Sequence, residues 1–417
     1  MQSALQTPAL ATVEAGQKAV PEQRVEVALM TGGMDRPYAF GLSLALAAKG
    51  VILDVLGAKE LDSAELRSIP DLNFLSTYGD QRKRVGLGKK AVRYMLSYWR
   101  IIRYAATAKP KLLHILWNYK FQLFDRTVLM LYYKILGKKI VFTAHNVNAA
   151  VRDGNESLWN WWSLKFQYRM FDHVFVHTDK MKTELCSGFG VSEDKVTVIP
   201  FGINNSVPDT NLTSAAAKLA VGVTRSEKTI LFFGGIRPYK GLEFLVAAFR
   251  QLAAQDKAYR LVIAGEPKKE AIPYWREIQQ AIDREQIGGQ VIQEIRFVAD
   301  EETEIYFKAA DVVALPYTQV FQSGVLFLAY SFGLPVIASD VGSMRDDVVE
   351  GKTGFTCRPR DAEDLARAID TYFKSDLYQT LEQSRQVIRS FANRRNSWDV
   401  VGDKTCSIYG RLLAERN

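Results

Sequence analysis

The feature that most restricts how this chain folds is a repeated pattern: a short apolar run, a glycine-bearing turn, then apolar residues at helical spacing. Arg24-Val-Glu-Val-Ala-Leu-Met30 reads as a buried strand and Thr31-Gly32-Gly33 as the tight turn behind it. Apolar positions over residues 38–49 predict a helix that Gly50 stops, and residues 51–56 are the next strand. Strand, turn, helix and strand make a βαβ unit, which implies a parallel sheet. Runs at 111–116, 139–144 (ending at His145-Asn146), 173–177 (with a helix from about Asp179) and 195–199 continue the pattern. Residues 204–226, rich in Asn, Ser, Thr and Ala, read as a linker or an irregular edge. The pattern then restarts: strand 229–233, turn Gly234-Gly235, helix 241–255 and strand 260–264, with further strands predicted at 295–298, 312–315 and 336–338.

The expected class is therefore α/β, with two doubly wound, Rossmann-like domains facing across a cleft. Residues 1–204 make the first domain and 205–385 the second. Residues 386–417 make a helical segment, with Trp398 on its apolar side, that could return to brace the first domain. In open sheets of this kind ligands bind at the carboxyl ends of the strands.

Composition narrows the class further. Of 417 residues, 47% are hydrophobic and 24% charged, which excludes a disordered chain, a collagen-like chain and a coiled-coil rod. Cys186, Cys357 and Cys406 are far apart with no CxxC pairing. Neither a disulfide framework nor a zinc ribbon is expected, and a reducing, cytoplasmic compartment fits. Residues 1–23 contain no apolar core of a secretory signal, and no run of about 18 apolar residues suggests a membrane span.

The net charge of +8 is unevenly placed. Residues 81–140 hold fifteen Lys or Arg and a single acid, Asp125, so the rest of the chain is net negative. Such asymmetry points to an anionic partner; a solvated basic face is the plainer alternative. Within it, residues 82–104 mix Lys and Arg with Tyr94, Tyr98, Trp99 and Tyr104, as in a helix lying on an anionic membrane surface. Residues 157–168, with Trp159, Trp161 and Trp162, add a second aromatic cluster. No RNA- or DNA-binding motif accompanies the charge, so nucleic acid is not an expected partner.

Four places carry candidate chemistry. In Phe233-Gly-Gly-Ile-Arg-Pro-Tyr-Lys-Gly241 a strand ends, glycines let a ligand approach, and Arg237 and Lys240 precede a helix. Two cations beside a helix N-terminus suit a diphosphate. In Gln322-Ser-Gly-Val325, Ser323 could cap the following helix, whose amides from Gly324 onward would face an anion or simply end the helix. His145 follows a buried strand and should lie at the carboxyl edge of the sheet; His177 ends a strand at the same edge with a weaker claim. His114 and His173 fall at strand positions and read as structural. Glu266, at another strand end, could accept a hydrogen bond from a ligand hydroxyl or be a solvated turn acid.

Taken together, residues 233–241, 297–302, 309–316 and 333–342 resemble the family 4 (group 1) glycosyltransferases of the GT-B fold, with looser matches at Gly32-Gly33, His145 and 198–203. The resemblance implies a nucleotide-sugar donor held by the second domain and a glycan or lipid-linked acceptor on the first. Arg237 and Lys240 would neutralise the diphosphate, and Gly33 would bring an amide to it from across the cleft. Gln322, Ser323, Gly324 and Val325 would contact sugar and phosphate. Backbone near Val298 would meet the base, and His145 would orient the reacting donor. It implies retention of anomeric configuration, no metal, and no cofactor beyond the nucleotide-sugar substrate. Two departures stand out. The glutamate places of the family fall on Val320 and Leu328, and its arginine place on Gly235, with Arg237 two residues later. These leave a noncatalytic nucleotide-sugar-binding relative, or a GT-B sugar-nucleotide epimerase, as alternatives.

Overall fold

The structure, a computed structural model, describes residues 24–33, 36–81, 86–152, 156–203 and 207–415. The leader 1–23, the expected boundary at 204–205 and residues 82–85 of the basic segment lie outside the described residues. The first sheet holds β1 (Glu26–Met30), β2 (Ile52–Gly57), β3 (Leu72–Ser76), β4 (Leu112–Ile115), β5 (Lys139–Ala144), β6 (His173–Val176) and β7 (Val196–Val198). The second holds β8 (Lys228–Phe233), β9 (Tyr259–Ala264), β10 (Val291–Glu294), β11 (Val312–Leu315), β12 (Val336–Ser339) and β13 (Gly354–Cys357). Every pairing is parallel, in the orders β3-β2-β1-β4-β5-β6-β7 and β10-β9-β8-β11-β12-β13. The fold is α/β of the GT-B type.

Strand order reverses between β1 and β4 and again between β8 and β11. Crevices open at such reversals, beyond the carboxyl ends of the strands. The glycine turn after β1, the cationic turn after β8 and the loop after β11 all lie there.

Central strands such as β4 and β6 are buried along their whole length, because helices cover both faces. On one face of the first sheet the core contains Tyr98, Met130, Tyr133 and Tyr168. On the other it contains Leu42, Leu46 and Tyr409. Tyr409 comes from the last helix, Trp398–Ala414, which packs on helix Arg36–Ala48 of the first domain. His114 and His173 both serve this seam. The His114 ring meets the Tyr409 hydroxyl and, at 2.8 Å, the Thr143 hydroxyl; His173 lies 2.9 Å from the Thr197 hydroxyl and 3.2 Å from Arg411.

The crossover between domains runs beside the returning chain. The Ile203 N–H donates to the Asn396 carbonyl (3.0 Å), and Asn396 Nδ2 to the Phe201 carbonyl (2.9 Å). Trp398 Nε1 donates to the Ile203 carbonyl (2.9 Å). The indole fits because Gly41 and Gly202 face it: a Cβ on either would lie 2.3 or 2.4 Å from its ring.

Some expectations need correction. Residues 295–298 are not a strand. The ladder partner of β9 is β10, one turn earlier, and the Gly265 N–H closes on the Glu294 carbonyl at its end. Arg296 then folds back to Glu294 and Glu302, leaving Phe297 exposed. The strands β3 and β13, missed in the sequence, are both at sheet edges; half-covered strands show a weaker apolar signal. The supposed linker contains a helix, Ser214–Ala220, capped by the Thr213 hydroxyl. The C-terminal segment is broken into Leu381–Arg395 and Trp398–Ala414, and the break carries the crossover contacts.

Candidate functional site

Between the two sheets lies a cavity of about 300 Å³. Its wall includes Tyr38 and Phe201 from the first domain and Lys240, Tyr317, Gln322 and Ser323 from the second. Gly324 and Val325 also line it; Gly33, His145, Arg237, Glu266 and Val298 do not.

Lys240 is the most unusual group. It ends the short 3₁₀ turn Pro238–Lys240 and is only 8% exposed. Its Nζ donates to the Phe233 carbonyl at 3.3 Å and lies 5.8 and 5.7 Å from the ring centres of Phe232 and Tyr317. Among the described residues it has no carboxylate partner. Burial, with a smaller contribution from the neighbouring Arg237 guanidinium, pushes its pKa down to about 8. Arg237 is half-buried and likewise unpaired with any carboxylate among the described residues. A desolvated cation without a counter-charge, beside a second half-buried one, is unfavourable alone and becomes favourable beside an anion.

Backbone geometry holds this turn open. Gly234 has φ +93°, and a Cβ there would lie 3.0 Å from the Lys240 Nζ. Gly241, at φ +66°, passes so close to Pro316 that a Cβ would stand 2.0 Å from its carbonyl oxygen. Only glycine meets both demands at Gly241.

The loop after β11 departs from the expected cap. Ser323 is at the N-cap of helix Gly324–Ser331, but its hydroxyl makes no capping bond; it donates to the Tyr317 hydroxyl at 3.3 Å. The first helix amides are therefore not covered by that side chain. Gln322 Nε2 donates to Asp347 at 3.4 Å, and its Oε1 is buried without a hydrogen-bond partner. Val320 and Leu328 do line the cavity, so apolar side chains stand where the resemblance would place carboxylates.

On the first domain, His145 sits just beyond β5, stacked on Trp117 (ring centres 4.2 Å apart, 4° between planes). Tyr38 and Phe201, which line the cavity, pack against it at 4.5 and 6.1 Å. His145 Nδ1 lies 3.1 Å from His177 Nε2, and His177 Nδ1 lies 3.4 Å from the Ile199 carbonyl. A carbonyl only accepts, so His177 Nδ1 carries a hydrogen. Burial pushes the pKa of His177 down to about 4, so its ring is neutral near pH 7 and Nε2 accepts. His145, held well below its ordinary value by burial and by His177, then donates from Nδ1. The lone pair of its Nε2 is left buried with no partner in the protein. His177 thus sets the tautomer of His145. Gly33 has φ +72°, and its N–H donates to the Thr31 hydroxyl at 3.4 Å. Across the cleft, Arg36 Nη1 pairs with Asp300 at 2.9 Å.

Glu266 is exposed, and its carbonyl accepts from the Ile236 N–H at 3.0 Å. Val298 is buried in the loop that enters helix Asp300–Ala309. Sequence reasoning missed Tyr38, Trp117 and Tyr317 as site residues; nothing in their local pattern separates them from core aromatics. Among the described residues no group of three or more His, Cys, Asp and Glu gathers as a metal site.

Comparison with known proteins places this geometry. Residues 31–207 match the family model described as Glycosyltransferase Family 4, and residues 227–375 that described as Glycosyl transferases group 1. Similar curated proteins include an uncharacterized glycosyltransferase of Methanocaldococcus jannaschii, 27% identical over 57% of this chain and 59% of its own length. A D-inositol 3-phosphate glycosyltransferase of Corynebacterium urealyticum is 26% identical over 58% of this chain and 57% of its own. The chain thus spans between half and three-fifths of the length of these relatives. Among solved structures, sucrose-phosphate synthase from Thermosynechococcus elongatus superimposes with a TM-score of 0.74 at 21% identity, covering 94% of this chain and 100% of that one. Anabaena HepE in complex with UDP and glucose gives 0.71 at 18%, covering 93% and 100%. The two matched segments account for every strand of both sheets except β1 and for the loops at both strand-order reversals, and the chain belongs to the family 4, group 1 glycosyltransferases.

Proposed function

We propose that this chain transfers a hexosyl-type sugar from a nucleoside-diphosphate donor to a glycan or lipid-linked acceptor, with retention and without a metal. The observation that carries the proposal is Lys240: a buried, unpaired ammonium on the wall of an interdomain cavity, beside the equally unpaired Arg237. As the anomeric C–O bond to the diphosphate breaks, negative charge grows on the leaving oxygen. Fixed cations stabilise that charge where water is scarce. The new bond forms to the acceptor oxygen, whose proton leaves with the diphosphate or solvent. In this reading the second domain holds the donor. The uncovered amides at Gly324–Ser331 face its phosphates, and Gln322 and Ser323 its sugar. Gly33 approaches from the first domain, the backbone near Val298 and the turn at Glu266 flank the nucleoside, and His145 Nε2 accepts a hydrogen bond from a sugar hydroxyl. UDP and glucose in the HepE structure are consistent with such a donor class.

A second reading, a noncatalytic nucleotide-sugar binder, is favoured by Val320 and Leu328, which present no acceptor to a ribose or sugar hydroxyl. The test is a thermal-shift panel of UDP-, GDP- and ADP-sugars and free nucleotides on wild type and on Arg237→Ala/Lys240→Ala, followed by donor turnover. Stabilisation by one nucleotide class, lost in the double variant, supports the site. Binding without hydrolysis or transfer selects the second reading. Donor consumption with epimerised product and no acceptor selects an epimerase. No shift with any donor refutes the site.

A further inference from the structure

Three helices on one face of the first sheet carry two apolar ridges where burial needs one. In helix Leu87–Thr107 the inner ridge, Tyr98, Ile101 and Ala105, is buried. A second ridge at the same spacing, Val92, Met95, Leu96 and Trp99, is exposed, Met95 by 73%. Helix Val128–Ile135 buries Leu129, Met130 and Tyr133 and exposes Val128, Leu131 and Ile135, the last by 83%. Helix Leu158–Met170 buries Leu164 and Tyr168 and exposes Leu158, Trp159 and Trp162, with Trp159 at 79%. Single exposed apolar residues are ordinary; ordered surplus ridges on three neighbouring helices mark an interaction surface.

The helices do adjoin. The Tyr132 hydroxyl donates to the Ile102 carbonyl (3.0 Å), and helix Val128–Ile135 packs on helix Leu158–Met170. Lys89, Lys90, Arg100, Arg103 and Lys120 are exposed around the ridges. None of them has a carboxylate partner among the described residues, and the Arg103 guanidinium lies 5.3 Å from the Trp99 ring centre. No helix among the described residues is long and apolar enough to cross a membrane.

We propose that this face docks on an anionic lipid bilayer, with the outer ridges in the headgroup region and the cations against lipid phosphates. Charge complementarity selects this occupant. A second copy docked on the same patch would bring two strongly positive surfaces together. The face also extends towards the carboxyl edge of the first sheet, where His145 lies. Phe121, stacked on Tyr98 at 5.4 Å, follows in the chain soon after Trp117, which stacks on His145. An acceptor anchored in the bilayer would thus meet the cleft on its first-domain side; only that last step rests on the glycosyl-transfer reading.

The test is co-sedimentation of the full chain with vesicles of phosphatidylcholine alone or mixed with phosphatidylglycerol. Binding to the mixed vesicles at low salt, weakened by added salt, is expected. Trp99→Ser/Trp159→Ser/Trp162→Ser should reduce it about tenfold or more. Lys89→Ser/Lys90→Ser/Arg103→Ser should reduce it by roughly fivefold per cation. Both sets should keep the nucleotide thermal shift of wild type, because the altered side chains are exposed and away from the cavity. The proposal is overturned by no binding at low salt, or by binding that ignores both lipid charge and the tryptophan set. It is also overturned by a concentration-dependent dimer that the tryptophan set abolishes while vesicles go unbound. Vesicle binding without any nucleotide shift upholds the docking and refutes the transfer reading instead.

Discussion

Replacing Lys240 by Met should make the empty protein more stable while removing its ligand. The alkyl stem is kept and the charge is lost. Folding moves this ammonium from an ordinary 10.5 to about 8, chiefly through burial. That difference corresponds to about 3 kcal/mol of unfavourable folding free energy near neutral pH. Its bond to the Phe233 carbonyl, at 3.3 Å, returns about 1 kcal/mol. Lys240→Met should therefore gain about 2 kcal/mol. The pH dependence fixes the sign. Below pH 8 both folded and unfolded chains carry the proton, so the penalty is full. Between 8 and 10.5 the folded chain has released it and the unfolded chain has not, so wild type gains stability as pH rises. The advantage of the variant should shrink across that window and vanish above it. Urea titration with pulse proteolysis, reading fragments from the second domain at pH 7, 9 and 10.5, measures it. Nucleotide thermal shift on the same variant should be absent. A variant less stable than wild type at pH 7, or a gain that does not change with pH, would refute the reasoning. So would a retained nucleotide shift.

The same ammonium predicts how binding responds to pH: an anion raises its pKa, so nucleotide affinity should fall above pH 8 by up to about tenfold per unit. Calorimetry in buffers of different ionisation enthalpy should show proton uptake at pH 9; an affinity that stays flat from pH 7 to 10 counts against it. His177→Phe removes the acceptor of the His145 Nδ1–H and should shift the ¹⁵N signals of that ring towards the other tautomer. Turnover should drop roughly tenfold with KM little changed, and His177→Gln should restore most of it; an unchanged tautomer excludes the role. Gly241→Ala forces a Cβ to 2.0 Å from the Pro316 carbonyl at φ +66° and should cost about 1–3 kcal/mol, with loss of the nucleotide shift; a variant that unfolds and binds like wild type removes the constraint.

Much of this molecule is legible in its sequence, and the reason is range. Buried parallel strands read as continuous apolar runs, and glycine turns punctuate them within a few residues. β1, β5, β8 and β9 therefore announce themselves, and so does the cationic turn holding Arg237 and Lys240. Edge strands β3 and β13 bury less and were invisible, while Ile295-Arg-Phe-Val298 imitated a strand that only the pairing of β10 with β9 displaces. The site depends on contacts that no local pattern encodes. His145 meets Trp117 from the loop after β4, Tyr38 from the first helix and His177 from just beyond β6 only because the sheet order brings those chain segments to one edge. Ser323 occupies an N-cap place by sequence, but Tyr317 takes its hydroxyl. Trp398 looks like any apolar helix residue; its place between Gly41 and Gly202 exists only once the C-terminal chain has crossed back. The sequence determined the strands, the turns and the charges by short-range sterics and burial. Tertiary packing decided which of those charges would stand without a partner, and an unpaired buried cation, not its place in the chain, is what makes a receptor for an anion.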